Sequence, residues 1–394
     1  MSDGARLLRW FDDGTLVRPC TDVPDTVALG RALASLMRTP GVDLTAAATR
    51  VANAIGESEH YVLVLVDGLG TNLLDELPPH SFFRSNLAME MQAVCTSSTA
   101  PALTSLTTLE WPAQHGITGW FVYLPEWDIT GTVLPYVERF SKRPLSEFGV
   151  DPHVVFRSPS RIYGSTYEAR CFLPKHIASS TYTEYFAGGA ATVGSDSLAG
   201  ACTSVVRRIQ QATAPTYSYL YVPFVDQAQH TYGPHADPVR QITSDVERAI
   251  ERLVAELSGR ARVIVSADHG QIIVERDHQY ELPIGDPLLA LLAVPPSCEQ
   301  RVLALHVRAG QHDRFASLFR ERFGATFALL TIAEVDELRL FGPLPLGDVA
   351  RRRLGDFVAI TGAADAILHR RDGPMLGFHG GLSPDEMRIP LIVA

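Results

Sequence analysis

The sequence predicts an α/β protein: a mainly parallel central sheet with helices on both faces, and a small inserted α+β subdomain. Three observations lead there. Short apolar runs rich in β-branched and aromatic residues stop abruptly at an aspartate. A long amphipathic stretch lies between two of these runs. Strand, helix, strand is the repeating unit of a parallel sheet, and ligands of such sheets bind beyond the carboxyl ends of the strands.

Taken in order, YVLVLV (Tyr61 to Val66) runs into Asp67, SYLYVPFV into Asp226, and RVIVSA (Arg262 to Ala267) into Asp268. All three have strand length, so their aspartates fall at the sheet's carboxyl edge. IPLIV before Ala394 reads as one more strand, with Pro390 near its start. Between the second and third runs, Val239, Ile242, Val246, Ile250, Leu253 and Leu257 recur at steps of three and four. This predicts a helix from about Asp237 to Leu257, with Asp237 as cap, Pro238 in its first turn and Ser258-Gly259 as its end. Residues 272–375 carry their own signals: VLALHVR from Val302, a helix around Asp313 to Phe323, and FVAIT from Phe357. They predict a lid inserted into one catalytic domain spanning 1–394.

Composition bounds the partners. The formal charge of -10 and the lack of a basic run exclude a nucleic-acid polymer as the expected partner. A small anionic substrate remains compatible, because a bound metal reverses the local field. No stretch approaches the ~20 apolar residues of a membrane span, and the N-terminal residues hold no apolar core of signal-peptide length. Five scattered cysteines form neither a CxxC motif nor a disulfide framework, so a reducing, cytoplasmic setting is expected. Oligomeric state is not readable.

Chemistry gathers at the strand ends. Asp226 and His230 in VDQAQHTYGPH stand one helical turn apart, on one face if a helix begins there. Asp268-His269-Gly270 places carboxylate and imidazole side by side, and Gly270 lets the chain bend. His379 in GFHGG is followed by two glycines. Each motif alone reads more readily as a turn or a solvated pair than as a metal site. Together they supply mixed aspartate and histidine ligands suited to zinc, with manganese or iron as alternatives, and two close metals are a device for phosphoryl transfer. The tract CTSSTAPALTSLTT, Cys95 to Thr108, holds eight hydroxyls that could include a nucleophile or could simply cap and pack a helix from about Ala102.

The ordered set VDGLG, STAPALTSLTT with WPAQHG, DQAQHTYGP, ADHGQ and FHGG with MRIPLIV resembles the alkaline phosphatase superfamily, in its nucleotide pyrophosphatase/phosphodiesterase branch. The resemblance spans Asp67 to Ile392. It implies an alkaline-phosphatase-like fold and two divalent ions, zinc or manganese. Asp67, Thr99, Asp268 and His269 would hold one ion, and Asp226, His230 and His379 the other. Thr99 would be the catalytic nucleophile, passing through a phosphothreonine. The substrate would be a small phosphorylated molecule of the nucleotide or diester type. One departure stands out. The branch's Asn that donates to a phosphoryl oxygen falls near Trp120 here, and the Asn that follows Thr-x-Pro is Ala102. The oxyanion donor is therefore unassigned. A phosphomonoesterase or phosphonate hydrolase on the same site is the alternative, and a metal-binding scaffold for a phosphorylated partner is the non-enzyme alternative. The tract TYTEYF, Thr181 to Phe186, is expected to pack rather than to stack a base.

Overall fold

The computed structural model describes residues 2–19, 22–369 and 373–394. Its central sheet has seven strands, in the order Leu87–Gln92, Arg388–Val393, Arg262–Ser266, His60–Val66, Thr216–Val222, Glu168–Pro174 and Ala191–Ser195. Every pair is parallel except those made by Arg388–Val393, which runs against both neighbours. The three runs singled out by sequence lie side by side. Val66 is level with Val222, and Leu65 with Ser266, so their carboxyl ends align at one edge. Val62, Val64 and Val66 are fully buried, as are Leu63 and Leu65 on the other face, which is why the strand reads as an unbroken apolar run.

The helix Asp237–Leu257 packs beside the helices Leu198–Gln210 and Phe224–Tyr232, with Val239, Val246, Ile250, Leu253 and Leu257 buried. Fully burying side chains of this size is worth about 1.5–3 kcal/mol each. The expected cap is corrected. Ala236 holds the capping position without a side-chain bond, and Asp237 is the first helical residue, paired with Arg240. Pro238 does sit in the first turn, and Ser258 ends the helix in the left-handed region at φ 49°.

Two further boundaries differ from the sequence reading. The second strand ends at Val222, because Pro223 lacks the N–H a central strand needs. Phe224–Tyr232 is then a helix. The hydroxyl-rich helix begins at Thr99, with Ser98 in the capping position, rather than at Ala102.

A second, antiparallel sheet orders its strands as Phe327–Thr331, Phe357–Thr361, Val302–Leu305, Ser297–Cys298, Phe121–Leu124, Ile129–Thr132 and Val137–Glu138. It is thus built from two stretches of chain, 121–138 and 297–361. Phe315, Phe319 and Phe323 of the helix His312–Phe323 pack its apolar face with Phe327 and Phe357. A fully buried ion pair, Arg301 with Glu386, joins this sheet to the segment before the last strand. Among the described residues, no helix is long and apolar enough to cross a membrane.

Candidate active site

Asp67, Asp226, Asp268 and His269 follow the aligned strands at one edge of the sheet, and His230, His379 and Thr99 meet them there. Asp67 follows the strand His60–Val66, and its N–H bonds to Val222 O at 3.0 Å. Asp226 lies in the first turn of Phe224–Tyr232, with His230 one turn on. Asp268 and His269 follow Arg262–Ser266. His379 stands just beyond the short strand Gly377–Phe378. Thr99 opens its helix from the other side of the cleft.

Two groups of ligand atoms converge. Asp226, His230 and His379 form one, and Asp67, Asp226 and His269 form the other, with all atoms in each group within 4.8 Å of one another. Asp226 Oδ1 lies 3.4 Å from His230 Nε2 and 4.0 Å from His379 Nε2. His269 Nε2 lies 3.5 Å from both Asp67 Oδ1 and Asp268 Oδ2. It is 3.2 Å from Thr99 Oγ1.

The far side of each imidazole is anchored to the backbone. Nδ1 of His230 meets Gly377 O at 2.8 Å, that of His269 meets Gly270 O at 3.1 Å, and that of His379 meets Ser97 O at 3.1 Å. A carbonyl only accepts, so each Nδ1 carries the proton and each Nε2 presents a lone pair inward. This is the tautomer a metal ligand needs. The loop bearing His379 is fixed in turn. Gly380 N–H bonds to Ser97 O at 2.9 Å, and Gly381 N–H bonds to Glu386 Oε1 at 2.7 Å.

The chain alone leaves this centre electrostatically uncompensated. Asp67 Oδ1 and Asp268 Oδ2 are buried without a hydrogen-bond partner. Burial, together with Asp268 and Asp226, pushes the Asp67 carboxyl well above its usual range. Burial, together with His269 and His230, holds the His379 imidazole well below its own. An unpaired buried charge costs several kcal/mol. Orphaned carboxylate oxygens facing imidazole lone pairs fit divalent cations, which would relieve both strains at once.

Sequence reasoning missed the groups that orient these candidate ligands. Tyr221 donates its hydroxyl to Asp67 Oδ2. Gln271 Nε2 donates to Asp226 Oδ1 at 2.5 Å and to Asp226 O at 3.2 Å. Gln271 was visible as the last letter of ADHGQ. Tyr221 carried a weaker signal as the last tyrosine of a strand with tyrosines at 217, 219 and 221. Glu299 carried none. It is buried at the cavity wall, where Oε1 accepts the Trp120 N–H at 2.6 Å, and burial lifts its carboxyl to about 7.

Other motif residues play structural parts. His115 of WPAQHG accepts the Ile117 N–H on Nδ1 at 3.1 Å and meets Ser105 Oγ at 2.9 Å through Nε2. Burial depresses it to about 3, so it is a neutral joint between the helix Thr99–Thr108 and the next loop. Ala102 packs against Val27 and Val94. TYTEYF forms the helix Thr181–Ala187. Tyr185 stacks on Phe156 at 4.5 Å, while Tyr182 and Phe186 both pack and face the cavity.

That cavity measures about 750 Å³ and reaches from Asp67, Thr99, Asp226, His230 and His379 past an aromatic wall that includes Trp120, Phe121 and Tyr219. It is several times larger than a phosphoryl group requires, so it can also take an attached organic group.

Comparisons with known proteins bear on the fold and the family. No curated protein sequence matches the chain. Solved structures do. Murine ectonucleotide pyrophosphatase/phosphodiesterase 5 aligns with TM-score 0.62 and 17% identity over 84% of this chain and 87% of its own. An inactive Thr-to-Ala variant of that murine protein, in complex with AMP, aligns with TM-score 0.63, 17% identity and the same coverage. Phosphonoacetate hydrolase from Sinorhizobium meliloti 1021, in complex with phosphonoformate, aligns with TM-score 0.59 and 19% identity over 84% of this chain and 89% of its own. At these identities the likeness concerns the fold. The profile of the type I phosphodiesterase / nucleotide pyrophosphatase family matches residues 61–381. That range covers most of the chain and every residue of the converging cluster, and the protein therefore belongs to this family of the alkaline phosphatase superfamily, as a metal-dependent hydrolase of phosphoric ester bonds.

Proposed function

We propose that the protein is a phosphodiesterase or nucleotide pyrophosphatase that uses Thr99 as its nucleophile and two zinc ions as its cofactors. The observation that carries this reading is the meeting of Thr99 with three aspartates and three imidazoles whose Nδ1 atoms are all tied to backbone carbonyls. Asp67, Thr99, Asp268 and His269 would hold one ion, and Asp226, His230 and His379 the other. Mixed aspartate and histidine donors favour zinc, with manganese as the alternative. When bound, such a pair acidifies a coordinated hydroxyl and offsets charge on the attacking and leaving oxygens.

The chain's own residues do the rest. Thr99 gives its hydroxyl proton to solvent as Oγ1 attacks phosphorus in line, the bond to the leaving oxygen breaks, and that oxygen takes a proton from solvent. The phosphothreonine is then cleaved by water, which restores the Thr99 hydroxyl. Thr99 and Ala100 occupy the first helical turn, where Ser98 makes no side-chain cap bond. Their backbone N–H groups are helix-start donors, and they stand in for the Asn this chain lacks. The inactivity of the Thr-to-Ala murine variant supports a threonine nucleophile, and its AMP supports a nucleotide-type substrate. The aromatic cavity wall is consistent with an organic group of that kind. Three described cysteines, Cys171, Cys202 and Cys298, are buried as free thiols, which supports a cytoplasmic location.

The test is hydrolysis of bis-p-nitrophenyl phosphate against p-nitrophenyl phosphate, with zinc and with manganese, beside Thr99→Ala. Diester turnover that disappears in Thr99→Ala supports the reading. Turnover that survives in Thr99→Ala refutes the assigned nucleophile. Metal binding with no turnover of either ester, or of a nucleotide diester, moves the protein to the scaffold alternative.

A further inference from the structure

We infer that Glu299 is a specificity-determining residue that favours phosphodiesters, which carry one negative charge, over phosphomonoesters, which carry two. The inference rests on the phosphodiesterase reading above and deepens it.

Among the described residues that line the cavity, Glu299 is the one carboxyl outside the aspartate–histidine cluster. It is clamped from two directions. Oε1 accepts the Trp120 N–H at 2.6 Å. On the other side lies Gly380, at φ +96°, where an added Cβ would come within 2.7 Å of Glu299 Cβ. Only glycine allows that approach, so the carboxyl is a positioned charge rather than a mobile one.

Its location faces the reaction. The Ser98 hydroxyl, one residue before Thr99, lies beside the same carboxyl. Thr99, whose Oγ1 lies 3.2 Å from His269 Nε2, lines the same cavity as Glu299. No lysine or arginine is among the described lining residues. The guanidinium that acts on Glu299 is that of Arg139, which donates to Pro296 O and sits 3.8 Å over the Phe121 ring.

The consequence is Coulombic. A fixed negative charge disfavours a dianion about twice as much as a monoanion at the same place. Burial weakens the screening that would otherwise erase the difference. A monoester phosphoryl group is a dianion above its second pKa of about 6.

The experiment measures kcat/KM for p-nitrophenyl phosphate and bis-p-nitrophenyl phosphate in the zinc-loaded protein, at about pH 8.5, where Glu299 is ionised. Wild type, Glu299→Gln and Glu299→Asp are compared. Glutamine keeps an acceptor for the Trp120 N–H and removes the charge, while aspartate keeps the charge. The expected result is a monoester-to-diester ratio about 10-fold or more higher in Glu299→Gln and near wild type in Glu299→Asp. A ratio in Glu299→Gln within about threefold of wild type, with Thr99-dependent diester turnover intact, overturns this inference and leaves the function standing. So does a wild-type preference for the monoester, which needs no variant to fold. If wild type turns over neither ester, the function fails separately. Calorimetric titration with inorganic phosphate then decides: tighter binding to Glu299→Gln supports the role of Glu299, and equal binding overturns it.

Discussion

Gln271 holds Asp226 by two contacts, with its side-chain amide 2.5 Å from Asp226 Oδ1 and 3.2 Å from Asp226 O. Asp226 is the residue common to both groups of converging ligand atoms. Its carboxylate must therefore be aimed before a cation arrives, and Gln271 does the aiming. Removing such an orienting partner typically costs 10–100-fold in metal affinity. Gln271→Ala is expected to weaken zinc binding by about that factor, with little change in the far-ultraviolet circular dichroism spectrum. Competition with a chromogenic chelator measures it, and unchanged affinity would remove Gln271 from the account.

Asp268 separates charge from shape. Its Oδ1 accepts Gly68 N–H and His269 N–H, both at 3.1 Å, while Oδ2 is buried without a partner. Asp268→Asn can keep the first two bonds and removes the charge that presses on Asp67. The metal-free variant should unfold at or above the wild-type temperature, and the rise in Tm on adding zinc should shrink or vanish. Calorimetry with and without zinc checks both. A full zinc-induced rise in Asp268→Asn would show that Asp268 is not a ligand.

His115 predicts a pH effect unrelated to catalysis. Its folded value lies near 3, below the ordinary 6.5, because burial disfavours the imidazolium. The folded state therefore binds fewer protons than the unfolded chain between these values. The stability contribution is complete above about 6.5 and is lost as the pH falls toward 3, by up to about 1.4 kcal/mol per pH unit. Urea melts from pH 7 to pH 4 should show a shallower fall in His115→Gln than in wild type. Parallel profiles would contradict the assignment.

Much of the candidate site was legible because its aspartates follow strands that announce themselves. Asp67 and Asp268 close runs that are buried on both faces, and parallel pairing then carries them to one edge. Asp226 was placed correctly at that edge although its strand was read three residues too long. The run SYLYVPFV stays apolar after Pro223 has ended the ladder, so hydropathy alone cannot mark the break. The helix at Thr99 was read too late because its first turn holds threonine, alanine and proline rather than an apolar stripe. What no local pattern could show were the contacts between distant segments. Glu299 meets Trp120 across 179 residues, Tyr221 meets Asp67 across 154, and strands 121–138 pair with strands 297–361. Those depend on which distant strands pair within each sheet, which the sequence expresses only through the whole fold.

The central claim is that Thr99 carries the phosphoryl group during turnover. The most direct measurement is acid quenching of the zinc-loaded protein during hydrolysis of bis-p-nitrophenyl phosphate, followed by mass spectrometry of the peptide that contains Thr99. The account predicts a phosphoryl or nitrophenyl-phosphoryl adduct on Thr99, absent from Thr99→Ala. Turnover with Thr99 unmodified at every quench time, together with activity retained in Thr99→Ala, would contradict it.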